Sequence, residues 1–162
     1  MRLALLIVAC ALTALASPPA LASPFGRLFA GAPPADLGPK DGRLAPCPAR
    51  PNCVSSTASD PAQQVAPLRY ASDATAAMHL LAECVRAEPG ASVVTQRPDY
   101  LHAEFASAAF GFVDDVEFHL AAAGRIDVRS ASRLGYSDFG VNRDRVEALR
   151  ASFEARSSGR QP

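Results

Sequence analysis

Hydrophobic positions change their period along this chain, and the changes mark out its elements. Between residues 76 and 85 they recur at helical spacing, with Met78, Leu81, Cys84 and Val85 on one face. Ser72 or Asp73 can cap this helix, and Pro89-Gly90 ends it after about Ala87. The period then falls to two. Ser92–Gln96 reads as a short strand, and the Pro98-Asp99 turn leads into Tyr100–Ala106, where Leu101, Ala103 and Phe105 share a face. Val113–Leu120 follows with Val116, Phe118 and Leu120 on its apolar side. Gly124 then turns the chain into Arg125–Ser132, where Ile126 and Val128 face the same way. Helical spacing returns from about Asn142 to Ala155, with Val146, Leu149 and Phe153 inward and Asn142 placed to cap.

Helix, four strands, helix is an α+β order. It predicts a four-stranded antiparallel meander with the N-terminal and C-terminal helices packed on one face, leaving the other face wet or functional. A proline-rich coil precedes it, since nine prolines lie between Ser23 and Pro67 with no sustained periodicity. Residues 23–35 read as a linker, whereas the stretch from Leu44 to Tyr70 carries apolar anchors (Val54, Val65, Leu68, Tyr70) and should be docked. The expected division is a leader over residues 1–22, the linker, a single α+β domain over 36–156, and a disordered tail over 157–162.

The leader reading rests on Met1-Arg2 followed by the apolar run Leu3–Ala16, which is too brief for a comfortable membrane span. Small-x-small cleavage sites occur at Ala14-Leu15-Ala16 and Ala20-Leu21-Ala22. The second is preferred because Pro18-Pro19 lies just upstream, giving a mature chain that starts at Ser23 with no stable membrane span. Export places the protein in the periplasm or outside the cell. There Cys47, Cys53 and Cys84 meet conditions in which disulfides persist. Cys47 and Cys53 are near in sequence and are expected to pair, while Cys84, in its helical apolar setting, stays a free core thiol.

Charge narrows the partners. Sixteen basic and sixteen acidic side chains balance, so no overall field recruits nucleic acid, and anion binding has to be local. The segment Arg129–Arg145 is the place to look, because four arginines, three serines and two glycines lie between a strand and a helix. Arg129, Ser130, Ser132, Arg133, Asn142 and Arg143 near a helix start would hold phosphate, sulfate or carboxylate. The same residues also read as a plain connection, with Gly135 and Gly140 supplying turns and the arginines paired to Asp138 and Asp144.

Keeping apolar residues on one side sets a register: Phe118 opposite Val128, Leu120 opposite Ile126, and Ala103 opposite Val116. Two polar rows result, His102–Glu117–Arg129 and Tyr100–His119–Asp127. They serve as cross-strand charge pairs on a wet face or, alternatively, as hydrolase machinery using His102, Glu117 and Ser130. No Gly-x-Ser-x-Gly elbow and no tight metal-ligand spacing occurs, so neither a catalytic set, a metal nor a cofactor is assigned.

Four stretches carry a resemblance: Leu44–Ser56 with its Cys-Pro-x-x-Pro-Asn-Cys, Asp99–Phe105, Phe110–Phe118, and Val128–Arg143 with its Arg-Ser-x-Ser-Arg. Together they resemble the bacterial domain-of-unknown-function 1499 family over about residues 36–153. The resemblance implies that the cysteine segment belongs to the fold, and it transfers no catalytic role. The functional expectation is a small-molecule or envelope-component binding module with an anion-competent patch. Its partner would be an anionic small molecule or an envelope component. A hydrolase and a structural envelope interaction protein are the alternatives.

Overall fold

The computed structural model describes residues 29–159. The leader, both cleavage sites and the last three residues lie outside them. Two short strands, β1 (Cys53–Ser55) and β2 (Leu68–Arg69), precede helix α1 (Ala74–Ala87). The meander of β3 (Ala91–Gln96), β4 (Tyr100–Ala106), β5 (Val113–Ala122) and β6 (Arg125–Ser132) follows, and α2 (Val141–Ser157) closes the domain. The fold is α+β, with six strands where the sequence pattern indicates four. The order is β1-β6-β5-β4-β3, and β2 also pairs with β6. β1 and β2 escape a period-two reading because three and two residues are too few to show a period.

Each helix ends for a local reason. The Asp73 carboxylate accepts from the N–H groups of Thr75 and Ala76 at 2.8 and 3.1 Å, which caps α1. At α2 the cap differs from the expectation: Gly140, with a left-handed φ of 90°, is the N-cap residue, and Asn142 lies buried at the second position of the helix. A carboxylate does the capping instead. Asp138 accepts from the N–H groups of Gly140 and Asn142 at 3.1 and 2.7 Å.

Both helices lie on one side of the sheet. Leu81, Cys84, Val85, Val146, Leu149 and Phe153 meet Leu101, Val116, Phe118, Ile126 and Val128 in one buried cluster, joined by Val54, Val65 and Leu68 from the cysteine segment. Burying side chains of this size contributes roughly 1.5–3 kcal/mol each relative to exposure. The predicted register holds at Ala103–Val116, Phe118–Val128 and His119–Asp127. A bulge between His119 and Ala122 then displaces the expected Leu120–Ile126 pair.

The opposite face is not wet. His102, Glu117, His119, Asp127 and Arg129 are all buried, and Asp115 and Glu117 are fully so. Residues 29–44 form a strap over this face. Gly31 lies against Arg133 and Leu134, the Gly38 N–H donates to Glu117 Oε1 at 2.7 Å, and Leu44 is buried. Apart from the Lys40–Arg43 bridge, the strap has no ladder of its own. A solvated face was expected because side-chain alternation reports polarity, and polarity does not show what lies on top.

Candidate functional site: the covered polar face

Period-two alternation on three neighbouring strands builds the site. Tyr100, His102 and Glu104 of β4, Asp115, Glu117 and His119 of β5, and Asp127 and Arg129 of β6 all project beneath the strap. Their hydrogen bonds form three groups. In the first, Glu117 accepts from the Tyr100 hydroxyl at 2.8 Å, the Gly38 N–H at 2.7 Å and Arg129 Nη1 at 3.2 Å. Burial, reinforced by the Glu117 charge and hydrogen bond, pushes the Tyr100 phenol well above its ordinary range.

In the second group, Arg133 grips Asp115 with Nε and Nη2 at 2.8 and 2.7 Å and reaches Glu104 at 2.6 Å. His102 Nε2 meets the same Asp115 carboxylate at 2.8 Å. Burial works to raise the Asp115 carboxyl, but the hydrogen bonds and charges of Arg133 and His102 outweigh it and hold the group below the usual carboxylate range. In the third group, Asp127 accepts from the Ser56 hydroxyl at 3.0 Å and Arg125 Nε at 2.8 Å.

Two atoms stand outside these groups. Arg129 Nε and His119 Nδ1 are buried and have no partner among the described residues. Such groups are rare in folded proteins, where leaving one unsatisfied costs about 1–3 kcal/mol. They sit on adjacent strands, since Arg129 pairs with Glu117 two positions from His119. Diagonal neighbours of this kind lie about 7–8 Å apart.

At the strap's margin the face opens into a cleft of about 330 Å³, lined by Pro33, Leu37, Gly38, Val94, Thr95, Arg97, Tyr100, His102 and Glu104. Arg97 stacks over the Tyr100 ring with its guanidinium carbon 4.7 Å from the centroid. Its ion pair with Asp99 is a long one of 3.9 Å between half-exposed side chains. The cleft thus joins apolar walls, a cation at the rim and a histidine backed by a carboxylate.

The six residues expected to hold an anion do not share one surface. Arg129 and Arg133 lie under the strap, where carboxylates already neutralise them. Ser130 and Ser132 point to the helix side: the Ser130 hydroxyl donates to Asn142 Oδ1 at 2.5 Å, and Asn142 Nδ2 donates to Ser132 Oγ at 2.9 Å. Arg143 donates to the carbonyls of Ala62 and Gln64 at 2.7 and 2.8 Å. The start of α2 holds the chain's own Asp138; burial acts to raise that carboxyl, but the N–H groups of Asn142 and Gly140 hold it low.

Of the hydrolase set, His102 and Glu117 occupy one face and Ser130 the other, so the sheet separates this serine from them. Sequence reasoning missed Asp115, although it shares parity with Glu117 and His119 on β5. It also missed Arg97, and it read the strap as linker up to residue 35 and as domain from 36 without seeing that it covers the sheet, since the segment carries no periodic signal.

Comparison with known proteins is decided by a match over residues 43–153 to the sequence profile of a family described as a protein of unknown function, DUF1499. The chain belongs to this family. No match to it was found among curated proteins or among solved structures. In this DUF1499 protein the matched region takes in the sheet, α1, α2 as far as Phe153 and the Cys47–Cys53 bridge. All of the strap but Arg43 and Leu44 precedes it, so the cover of the polar face comes largely from outside the matched region.

Proposed function

We propose that this DUF1499 protein is a binding module that works in the periplasm or outside the cell and holds a small molecule or envelope component against the strap-covered face. The observation that carries this reading is the pair of buried, unpartnered nitrogens, Arg129 Nε and His119 Nδ1, on adjacent strands of the covered face. Arg129 Nε–H can only donate, so the ligand has to offer an acceptor there, such as a carboxylate, phosphate or carbonyl oxygen. Anion competence then comes from Arg97 at the cleft rim, whose charge is the less fully neutralised, rather than from Arg133. Ser130, Ser132 and Asn142 brace β6 from the helix side, and Arg143 holds the carbonyls of Ala62 and Gln64.

The cysteine bridge supports an extracytoplasmic setting, since such bonds persist under oxidising conditions. Thermal denaturation tests the binding reading with acetate, phosphate, sulfate and acetamide at matched ionic strength. Ligand at about 100 times its Kd adds roughly 2.7 kcal/mol of stability. We expect at least one of these acceptors to raise Tm by several degrees beyond chloride, with the increment lost in His119→Ala. No shift with any of them would overturn the reading.

A second reading rests on the His102–Asp115 contact of 2.8 Å beside the cleft. A carboxylate that orients an imidazole is a general acid–base arrangement. Turnover of ester or phosphoester substrates that disappears in His102→Ala would favour a hydrolase acting without Ser130.

A further inference from the structure

We infer that the covered face is a docking site for an extended peptide segment of a partner protein, and that the strap is its built-in competitor. The inference rests on the binding-module reading and names the ligand class. The strap itself shows what the face accepts. It presents a backbone N–H, that of Gly38, to the fully buried Glu117 carboxylate at 2.7 Å. It sets Pro33 and Leu37 in the cleft beside Tyr100, His102 and Glu104. A main-chain donor flanked by proline and leucine is the chemistry of an extended peptide.

The strap meets this chemistry only in part. It leaves Arg129 Nε and His119 Nδ1 without partners, and a longer or differently spaced peptide can satisfy the first with a carbonyl oxygen. It lacks a ladder along the sheet and lies, but for its last two residues, before the family-matched region, which begins at Arg43. It also depends on Gly38 at a φ of 93°, a backbone state that other residues adopt only under strain. A cover that buries polar groups without satisfying all of them is held less tightly than the sheet beneath it, and so can be displaced. Because it is tethered, it competes at an effective concentration in the millimolar range.

Fluorescence anisotropy on the full chain tests this with a labelled synthetic peptide spanning residues 31–40 of the strap. The wild type should bind it weakly. Gly38→Pro, which removes the donated N–H, and Leu37→Asp, which removes the apolar anchor, should each bind it at least tenfold more tightly because the tethered competitor is weakened. The same peptide N-methylated at its Gly38 amide should bind both variants at least fivefold more weakly. Equal affinity in wild type and variants would overturn the strap's role as competitor. No peptide binding by either variant, under conditions where small acceptors still raise Tm, would overturn the peptide class and leave the binding-module reading standing. If neither peptide nor small acceptors bind, both readings fall.

Discussion

Arg129 and Ser130 are neighbours in β6 with partners on opposite sides of the sheet: the Arg129 guanidinium meets Glu117 beneath the strap, and the Ser130 hydroxyl meets Asn142 beneath α2. The two contacts differ in kind. Arg129→Ala leaves a fully buried carboxylate without its charge partner, a loss of roughly 3–5 kcal/mol for pairs of this type. Ser130→Ala removes the neutral hydrogen bond to Asn142 and a longer one accepted from Arg145 Nη1 at 3.2 Å, while Arg145 still reaches Asn142 at 2.8 Å, and should cost about 1–2 kcal/mol. Urea denaturation followed by circular dichroism should show the larger loss at Arg129. Equal midpoints for the two variants would mean that the Arg129–Glu117 pair is not sealed from solvent.

Acid should weaken the fold through Asp115 and Asp138. Both carboxyls are held below their ordinary value in the folded state. In the unfolded chain they take up protons near pH 4, so below that point the unfolded state binds more protons and stability falls with pH. Their contribution is complete above about pH 5 and is lost as pH drops through the lower folded values. Chemical denaturation between pH 3 and 6 should show this decline. Asp115→Asn should be less stable than wild type at pH 6 and show a shallower decline below pH 4. A decline of unchanged steepness in that variant would remove Asp115 as a contributor.

The Cys47–Cys53 bridge, with its Cα atoms 5.6 Å apart, closes a short ring next to β1. Non-reducing peptide mapping should recover this pair and leave Cys84 free. Cys84 is fully buried and should resist iodoacetamide until the protein is denatured. Loop-closure entropy for so short a ring corresponds to about 2 kcal/mol, so Cys47→Ser should lower stability by that order without preventing folding. Rapid alkylation of Cys84 in the native protein would contradict the packing of α1.

Much of this was legible in the sequence, and the parts that were not share a cause. Phe118 and Val128 announce the helix side because a period of two admits one inward set. The same alternation placed His102, Glu117 and Arg129 in one row, where they are found. It also implies that Ser130 and Ser132 face away from Arg129 and Arg133, a consequence obscured by reading the segment as one cluster. Asp138 as the cap of α2 was harder to see, since Asn142 is also a capping residue type and only backbone geometry decides between them. The strap left no trace in any period. Its hold on Glu117 is a main-chain N–H, which every residue but proline possesses.

β6 carries ladders on both edges, with β5 on one and with β1 and β2 on the other. Cys53 therefore waits for Ala131 and Leu68 for Ile126, while the β4–β5 and β5–β6 hairpins can zip from nearby turns. Such distant pairings make for slow folding. During synthesis, the cysteine segment emerges long before the strand that receives it, so the early chain has no finished edge on which to settle. Neither β1 nor β2 can pair until β6, the last strand of the chain, is in place to receive it.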